Sequence, residues 1–274
     1  MKKQKNSPDV KFGFGDNWNR FLSVLDDSRI VEAEQSIKDA LNISSLKGKS
    51  FLDAGSGSGL FSLAAYRLGA DQVFSFDYDP QSVACTQELK RRYFPNAENW
   101  IVEQGSLLDS GYLDRLPVFN VVYSWGVLHH TGNMWQAMEN LIPKISEKGF
   151  LYISIYNDQG RASRLWARIK RLYNQLPSPF RFLVLIPCTI KLWGPLTILD
   201  FCRGKPFQRW RDYAKRNRGM SAWHDVVDWV GGYPFEVAKP DEVFKFFYER
   251  GFNLTKLMTM GGGHGCNQFV FYRS

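Results

Sequence analysis

Short apolar runs alternate along the chain with longer segments in which apolar residues recur every three or four positions. The runs predict strands, and the longer segments predict amphipathic helices. This alternation is typical of an α/β fold with right-handed crossovers and a doubly wound, mostly parallel sheet. A first helix, capped by Ser28, is predicted from an apolar stripe that includes Ile30, Val31 and Ile37. The predicted strands are 50–54, 73–77, 100–104, 119–124 and 149–156, and the later predicted helices are 59–69, 80–92 and 134–146.

The turn after the first predicted strand has the composition of a ligand-binding turn. It carries glycine at three alternate positions, Gly55, Gly57 and Gly59. Because glycine has no Cβ, the backbone can approach a ligand closely and present a helix N-terminus to it. The next strand ends at Asp77, eighteen residues beyond Gly59, where a carboxylate can reach a ribose diol. The pattern predicts a nucleoside-type cofactor site, and a glycine-rich turn without a ligand is the alternative.

The full spacing of the turn distinguishes between cofactors. It begins at Asp53 and reads Asp-x-Gly-x-Gly-x-Gly, whereas the dinucleotide fingerprint is Gly-x-Gly-x-x-Gly. Together with Asp77, these residues resemble the cofactor loop and ribose acid of the class I S-adenosylmethionine-dependent methyltransferases. The resemblance covers about residues 47–157 and resumes near residue 240. A nicotinamide-dependent reductase is the rival interpretation, and the spacing disfavours it.

The resemblance implies a Rossmann-like, seven-stranded, mostly parallel sheet, with a large helical insertion after strand five. A helix at 241–250, a parallel strand at 253–259 and a final antiparallel strand at 267–273 would complete it. The implied cofactor is S-adenosylmethionine. The glycines would lie under its methionine moiety, Asp53 near its amino group and Asp77 at its ribose. The remaining cofactor residues implied in this way are Ser106 and Leu107 at the adenine, and Tyr123.

The sequence departs from the family pattern at the implied adenine position. The family usually has an acid where Ser106 stands, and Asp109 is a substitute that the sequence leaves open.

His129 and His130 follow the fourth predicted strand, where the family places the residues nearest the methyl group. An imidazole could accept the proton of a hydroxyl acceptor, which makes both histidines candidate catalytic bases. The alternative is that they only hydrogen-bond the loop backbone and cap the next helix.

Candidate acceptor-binding residues come from the same predicted edge, where the carboxyl ends of parallel strands meet. The motifs typical of base-directed methyltransferases, Asn/Asp-Pro-Pro-Tyr/Phe and Pro-Cys, do not follow the fourth strand. A His224–Asp225 pair and Glu236 are further polar candidates. The residues assigned to the acceptor are Trp125, Tyr156, His224, His264 and Asn267.

Charge is unevenly distributed along the chain. The 274 residues carry a net charge of +8, but residues 158–220 hold 14 Lys/Arg against three Asp, so that segment carries +11 and the remainder −3. The basicity therefore concerns a partner of this segment. Four scattered cysteines favour neither a metal site nor a disulfide framework, and no signal-peptide core follows the basic N-terminus, so a cytoplasmic protein is expected.

The chain divides into four predicted parts. Residues 1–27 form an arm or lid, in which Phe14, Trp18 and Phe21 are candidate covering groups. Residues 28–157 form the cofactor domain. Residues 158–239 form a cap insertion, and residues 240–274 form the end of the sheet. In the insertion, residues 159–177 predict a basic amphipathic helix with Lys170 among its surface cations.

The apolar residues 180–199 follow that helix. Prolines are expected to break this stretch, and its charge-free runs look too short to span a bilayer. Residues 160–199 therefore predict either an anionic membrane surface contact or simply a helical cap with a solvated face. Nucleic acid is the less favoured partner.

These observations predict methyl transfer to a small-molecule acceptor, with a hydroxyl of a lipophilic, phenolic or glycosyl compound favoured. The alternatives are an RNA- or protein-directed methyltransferase that uses the basic insertion, and a non-catalytic S-adenosylmethionine-binding protein.

Overall fold

The computed structural model describes residues 12, 22, 25–213, 222–261, 263 and 265–274. Phe14, Trp18, Phe21 and His264 lie outside the described residues, and their predicted roles stay predictions. Seven strands form one sheet. They are β1 (Ser50–Ala54), β2 (Gln72–Asp77), β3 (Trp100–Gln104), β4 (Phe119–Trp125), β5 (Ile145–Tyr156), β6 (Phe252–Met258) and β7 (Cys266–Arg273).

The strands are ordered β3-β2-β1-β4-β5-β7-β6. Neighbours from β3 to β5 are parallel, whereas β7 runs antiparallel to both β5 and β6. The seven-stranded, mostly parallel fold that the sequence predicted is confirmed. The order reverses between β1 and β4, and ligands bind at the carboxyl ends of the strands beside such a switch point.

Helices cover both faces of the sheet because the strand residues alternate between two apolar clusters. Phe51 and Val121 face the cluster that contains the helices Asp27–Leu41 and Leu60–Arg67, and Leu52 and Val122 face the opposite cluster. The helices of the sheet domain are α1 (Asp27–Leu41), α2 (Leu60–Arg67), α3 (Pro80–Tyr93), α4 (Ser110–Asp114) and α5 (Met134–Leu141).

The first helix differs in detail from its prediction. Its N-cap is Asp26, whose side chain accepts a hydrogen bond from the backbone N–H of Arg29 at 3.0 Å. Ser28, the predicted cap, donates its hydroxyl to Asp26 instead. Val31 is exposed, whereas Ile30 and Ile37 are fully buried against the sheet.

After β5 the chain leaves the sheet and forms a helical cap, which we define as residues 158–213 and 222–239. The boundaries of this and the other predicted parts stay predictions. The small core of the cap consists of Trp166, Tyr173, Cys188, Val226 and Val230. The helices from here onward are α6 (Arg161–Gln175), α7 (Phe182–Cys202), α8 (Gln208–Arg211), α9 (Ala222–Gly231) and α10 (Pro240–Tyr248), and α10 leads back into the sheet.

Three expectations about the cap are wrong. Pro187 and Pro195 do not break the apolar segment, because α7 continues through both for 21 residues. The segment is also not too short to span a bilayer, because Ser178–Cys202 is long and apolar enough to cross a membrane by length and composition, with only 6% of its most apolar window buried. The third error concerns Lys170, which is fully buried and not on the solvated face of α6.

The cap returns to the sheet domain through Glu236. Its backbone N–H donates to the His129 carbonyl at 2.9 Å, and its carboxylate accepts from the Met134 N–H at 3.1 Å and 3.2 Å. Met134 opens α5, whose own N-cap residue makes no side-chain capping bond. Glu236, which the sequence offered as a substrate contact, thus caps a helix of the sheet domain.

We expect Glu236→Ala to lower the free energy of unfolding by about 1 kcal/mol, the usual effect of losing an N-cap. Urea unfolding followed by circular dichroism would measure it. Glu147→Ala is the matched control, because Glu147 is exposed and its loss should change stability by less than about 0.5 kcal/mol. Equal effects of the two substitutions would contradict the capping role.

Candidate functional site

The turn between β1 and α2 passes very close to two other elements. Gly55 has a φ of +93°, Gly57 of +54° and Gly59 of +80°, in the left-handed region that glycine adopts without strain. A Cβ at Gly55 would lie 2.4 Å from the Val127 side chain, and a Cβ at Gly59 would lie 2.9 Å from the Thr86 Cα. The three alternate glycines are therefore required by the path of the backbone.

Asp77 holds the turn from the neighbouring strand. One carboxylate oxygen accepts the Gly57 N–H at 2.9 Å, and the other accepts the Asp79 N–H at 2.9 Å. Burial raises the pKa of Asp77 to about 6, although both hydrogen bonds act in the opposite direction. Each carboxylate oxygen keeps a second lone pair, so the group can still accept hydrogen bonds from a ribose diol.

Asp53 lies beneath the turn. Its side chain is 2% exposed, and it accepts the Ser62 hydroxyl at 2.5 Å. Ser62 accepts from Ser75 at 2.7 Å, and Ser75 accepts from the Trp100 indole N–H at 2.9 Å. Burial raises the pKa of Asp53 to about 7. This chain of hydrogen bonds ties β1, β2, β3 and α2 together, and the predicted contact of Asp53 with the methionine amino group stays a prediction.

The turn after β3 carries the predicted adenine contacts. The Ser106 hydroxyl accepts a backbone N–H two residues on at 3.2 Å, and the buried Leu107 offers its carbonyl to the Asn140 side chain at 2.9 Å. Asp109, the substitute acid, caps α4 by accepting the Tyr112 N–H at 3.0 Å. The adenine roles of Ser106 and Leu107 stay predictions.

Tyr123 and Trp125 lie at the end of β4. The Tyr123 ring is 3% exposed and packs in the core, 4.8 Å from the Phe61 ring and 5.2 Å from the Tyr152 ring between centroids. This position gives the side chain a structural role, and its contact with the cofactor stays a prediction. Trp125 is partly buried against the same core cluster.

His129 and His130 occupy the 3-10 turn Leu128–His130, directly after β4. The His129 ring is fully buried and lies 3.9 Å from the Tyr156 ring between centroids. Both ring nitrogens are buried, and the Ser154 backbone is the hydrogen-bonding group beside them. His130 Nδ1 lies 2.6 Å from the Pro234 carbonyl oxygen, so the neutral tautomer that carries its proton on Nδ1 donates to that carbonyl.

The protonation of both histidines is governed by burial. Burial, then His130 and Lys170, lower the pKa of His129 well below its usual range. Burial, then Lys170, lowers the pKa of His130 to about 3. Both imidazoles are therefore neutral at pH 7, and both are weaker bases than a free imidazole. Their predicted role as catalytic bases stays a prediction.

The sequence did not single out the buried cation at this edge, Lys170. Its ammonium donates to the Trp229 carbonyl and lies 4.5 Å from the Trp229 ring centroid, 4.8 Å from that of Phe235 and 5.5 Å from that of Tyr156. We call these three rings the aromatic cage. Burial lowers the pKa of Lys170 to about 7. The cage joins β5 of the sheet domain to the cap.

The other predicted acceptor residues have structural partners. Asn267 is 1% exposed; its amide nitrogen donates to the Asn157 side chain at 3.1 Å and its oxygen accepts the Met260 N–H at 3.0 Å. His224 is partly buried on α9, where its neighbour Asp225 accepts the Tyr213 hydroxyl at 2.7 Å. Acceptor contacts of Asn267 and His224 stay predictions.

A family model described as "Methyltransferase domain" matches residues 28–187, which is more than half of the chain. The chain belongs to the S-adenosylmethionine-dependent methyltransferases. Its cofactor is S-adenosylmethionine. The geometry fits this group, because glycines keep side chains out of the turn at positions 55, 57 and 59, and because Asp77 retains acceptor capacity at the neighbouring strand.

Individual relatives are distant. Ribosomal protein L11 methyltransferase of Clostridium perfringens is 26% identical over 180 residues, which is 60% of this chain and 52% of that protein. The protein of the same name from Alteromonas mediterranea is 47% identical over 47 residues, 17% of this chain and 16% of that protein. The chain therefore spans about half, or less, of the length of these curated relatives.

The fold has solved counterparts. The crystal structure of magnesium protoporphyrin IX methyltransferase from Synechocystis PCC 6803 with bound SAH superposes with a TM-score of 0.53, covering 94% of both chains at 15% identity. At this identity the likeness concerns the fold alone. It supports the Rossmann-like sheet fold.

The raised pKa of Asp77 predicts a pH dependence of cofactor binding. In the predicted contact, ribose hydroxyls donate to the ionised Asp77 carboxylate, so its protonation below about pH 6 should weaken binding by about tenfold per pH unit. Affinity should thus rise with pH and level off near neutrality. Calorimetric titration with S-adenosylhomocysteine from about pH 5 to about pH 7.5 would measure this window.

Asp77→Asn is the control for this titration. It should bind the ligand more weakly at neutral pH and lose the proton linked to Asp77, while any contribution from the buried Asp53 remains. The same pH slope in both proteins would contradict the assignment of Asp77 to the ribose.

Proposed function

We propose that the protein transfers the methyl group of S-adenosylmethionine to a hydroxyl of a lipophilic acceptor, phenolic or glycosyl, that it meets at a membrane surface. The observation that carries this proposal is the exposed apolar face of α7. Five large apolar side chains on this face are each 51% to 65% exposed: Leu183, Ile186, Ile190, Ile198 and Phe201. We call these five residues the lipid-facing surface. At helical spacing they share one side of α7.

The opposite side of α7 packs on the cap. Cys188 is buried in the cap core, and Asp200 is 3% exposed and paired with Arg209 at 2.8 Å. A helix with one side packed on protein and the other apolar and exposed suits a position in the plane of the interface, with the apolar side in the acyl boundary. We therefore propose peripheral attachment of a cytoplasmic enzyme.

Cations border the lipid-facing surface. Lys191, Arg203 and Lys205 on or after α7 are exposed, as are Arg164 and Arg168 on α6. Each basic residue close to an anionic leaflet contributes about 1 kcal/mol to attachment. This charge distribution, the source of the +11 of residues 158–220, favours anionic over neutral lipid.

The chemistry at the site requires little from the protein. The sulfonium of the cofactor supplies an electrophilic methyl group. The chain has to align the acceptor oxygen with that methyl group, exclude water and accommodate the hydroxyl proton. The buried turn at His129 and His130 and the aromatic cage suit the first two tasks. The histidines are proposed as polar acceptor contacts, and their neutral state suits hydrogen bonding to a hydroxyl.

Vesicle flotation tests the membrane step. We expect the wild-type protein to float with vesicles of phosphatidylcholine and phosphatidylglycerol, and to bind pure phosphatidylcholine vesicles much less. Ile186→Glu combined with Ile190→Glu should reduce binding by at least about tenfold, because it places two charges on the lipid-facing surface, where they would have to enter the acyl boundary.

Val118→Glu is the matched control, because Val118 is 58% exposed but lies outside the cap. It should float like the wild-type protein. Equal binding to neutral and anionic vesicles, or none at all, would remove the membrane step.

A protein-directed activity is the second candidate, because the curated relatives reported above are named ribosomal protein methyltransferases. The basic cap would then contact the protein substrate or its RNA. This candidate and the lipophilic acceptor differ in where the methyl group goes.

The fate of labelled methyl groups separates the two candidates. In membrane-containing extract with methyl-labelled cofactor, we expect label in the organic phase and in small molecules that survive mild alkali, as ethers do. Gly57→Arg should abolish it, because the arginine would stand in the cofactor seat at a φ of +54°. Label that appears only in precipitated protein would favour the second candidate.

A further inference from the structure

Lys170 is a cation in an unusual place. It is completely buried on the inner side of α6, and lysine is rarely found buried without a charged partner. None of the ion pairs formed within the described part of the chain includes it. Its described polar contact is the Trp229 carbonyl, which uses one of three ammonium hydrogens, and the aromatic cage surrounds it.

A second buried polar group, the His129 imidazole, lies beside the cage. Its ring is tilted against Tyr156, the cage ring contributed by β5, and both ring nitrogens are buried. The Ser154 backbone is the hydrogen-bonding group beside the ring, which leaves one ring nitrogen for a ligand. An unmet buried donor or acceptor costs about 1–3 kcal/mol. A buried cation and a buried imidazole meet at one aromatic ring, at the carboxyl edge next to the cofactor turn, and this arrangement indicates a place for a polar ligand.

We propose that Lys170, with His129 and the aromatic cage, forms the acceptor subsite and binds the acceptor as an oxyanion, the ionised hydroxyl of a planar phenol or enol. This inference rests on the proposed hydroxyl acceptor. The flat rings suit a planar aromatic compound, the ammonium supplies the counter-charge, and a His129 nitrogen supplies a hydrogen bond.

The proton and electron balance is simple. A phenol that meets the neutral amine gives its proton to Lys170, and a phenolate that meets the ammonium forms the same ion pair. The oxyanion then forms the oxygen–methyl bond while the methyl–sulfur bond breaks, and its electron pair stays on the now neutral sulfur. The ether product has no charge, so Lys170 loses its proton to solvent after release.

The other titratable groups around Lys170 are consistent with its role as the cation that binds the oxyanion. Asp228 on α9, Cys188 on α7 and Cys266 on β7 favour its ammonium form, and burial opposes them. His129 and His130, on the turn after β4, are kept neutral in part by its charge, and Tyr156 stays protonated because burial raises its pKa. Lys170 is thus the residue of this group that can offer a full positive charge.

Binding of 4-nitrophenol tests the subsite without knowledge of the natural acceptor. Its phenolate absorbs visible light and its neutral form does not. With the full-length protein saturated in S-adenosylhomocysteine, we expect saturable binding that ionises the probe at a pH below its solution pKa. The non-ionisable 4-nitroanisole should bind at least about tenfold more weakly.

Lys170→Met should abolish the ionisation of the bound probe while keeping normal affinity for S-adenosylhomocysteine, which also shows that the variant is folded. Lys245→Met is the matched control, because Lys245 is exposed on α10 and should leave the spectrum unchanged. Equal binding of the two nitro compounds, or ionisation that persists in Lys170→Met, would overturn the proposal. Phenolate binding without labelled small-molecule product would instead refute the proposed transfer and leave the subsite intact.

Discussion

The close approach of the turns after β1 and β4 is the constraint on which the rest of the site depends. The backbone at Gly55 lies against the Val127 side chain so closely that a single methyl group would not fit. Val127 immediately precedes the turn that carries His129 and His130. This packing requires glycine at position 55, and it also fixes where His129 and His130 stand. Preorganisation of this kind matters for methyl transfer, because small misplacements of reacting atoms reduce the rate strongly.

The cap is attached at the same edge. Ala238 pairs with Asn157 in an isolated bridge and exchanges backbone hydrogen bonds with Tyr156 and Asp158. Glu236 binds the turn after β4 and the start of α5. Lys170 packs α6 against rings from both units. These contacts attach α6 and the end of the cap to the carboxyl edge of the sheet, and one side of α7 packs on the cap core.

The sheet could be predicted well from the sequence, because strand patterns and helix periodicity are local properties. Strands β1 and β3 have the predicted bounds, and the predicted long helix at 134–146 ends early because Pro143 follows α5. The cap was predicted less well. Charge counting placed Lys170 on the surface, although Ser163, Trp166, Lys170 and Tyr173 recur at helical spacing on the buried face of α6. That stripe was the available signal.

Other errors depended on tertiary contacts that no local pattern contains. Ser28 and Asp26 are both acceptable caps, and only the backbone geometry of α1 selects Asp26. The polar residues Glu236 and Asn267 looked available for a substrate, but the return of the chain gives each of them backbone groups to bind. Prolines usually end helices, but α7 continues through Pro187 and Pro195.

A crystal structure of the protein with S-adenosylhomocysteine tests the central claim most directly. The account predicts the ribose hydroxyls on the Asp77 carboxylate, the amino-acid moiety over the backbone of Gly55 to Gly59, and the sulfur directed toward His129 and the aromatic cage. A ligand bound elsewhere, or an Asp77 carboxylate turned away from the ribose, would contradict it.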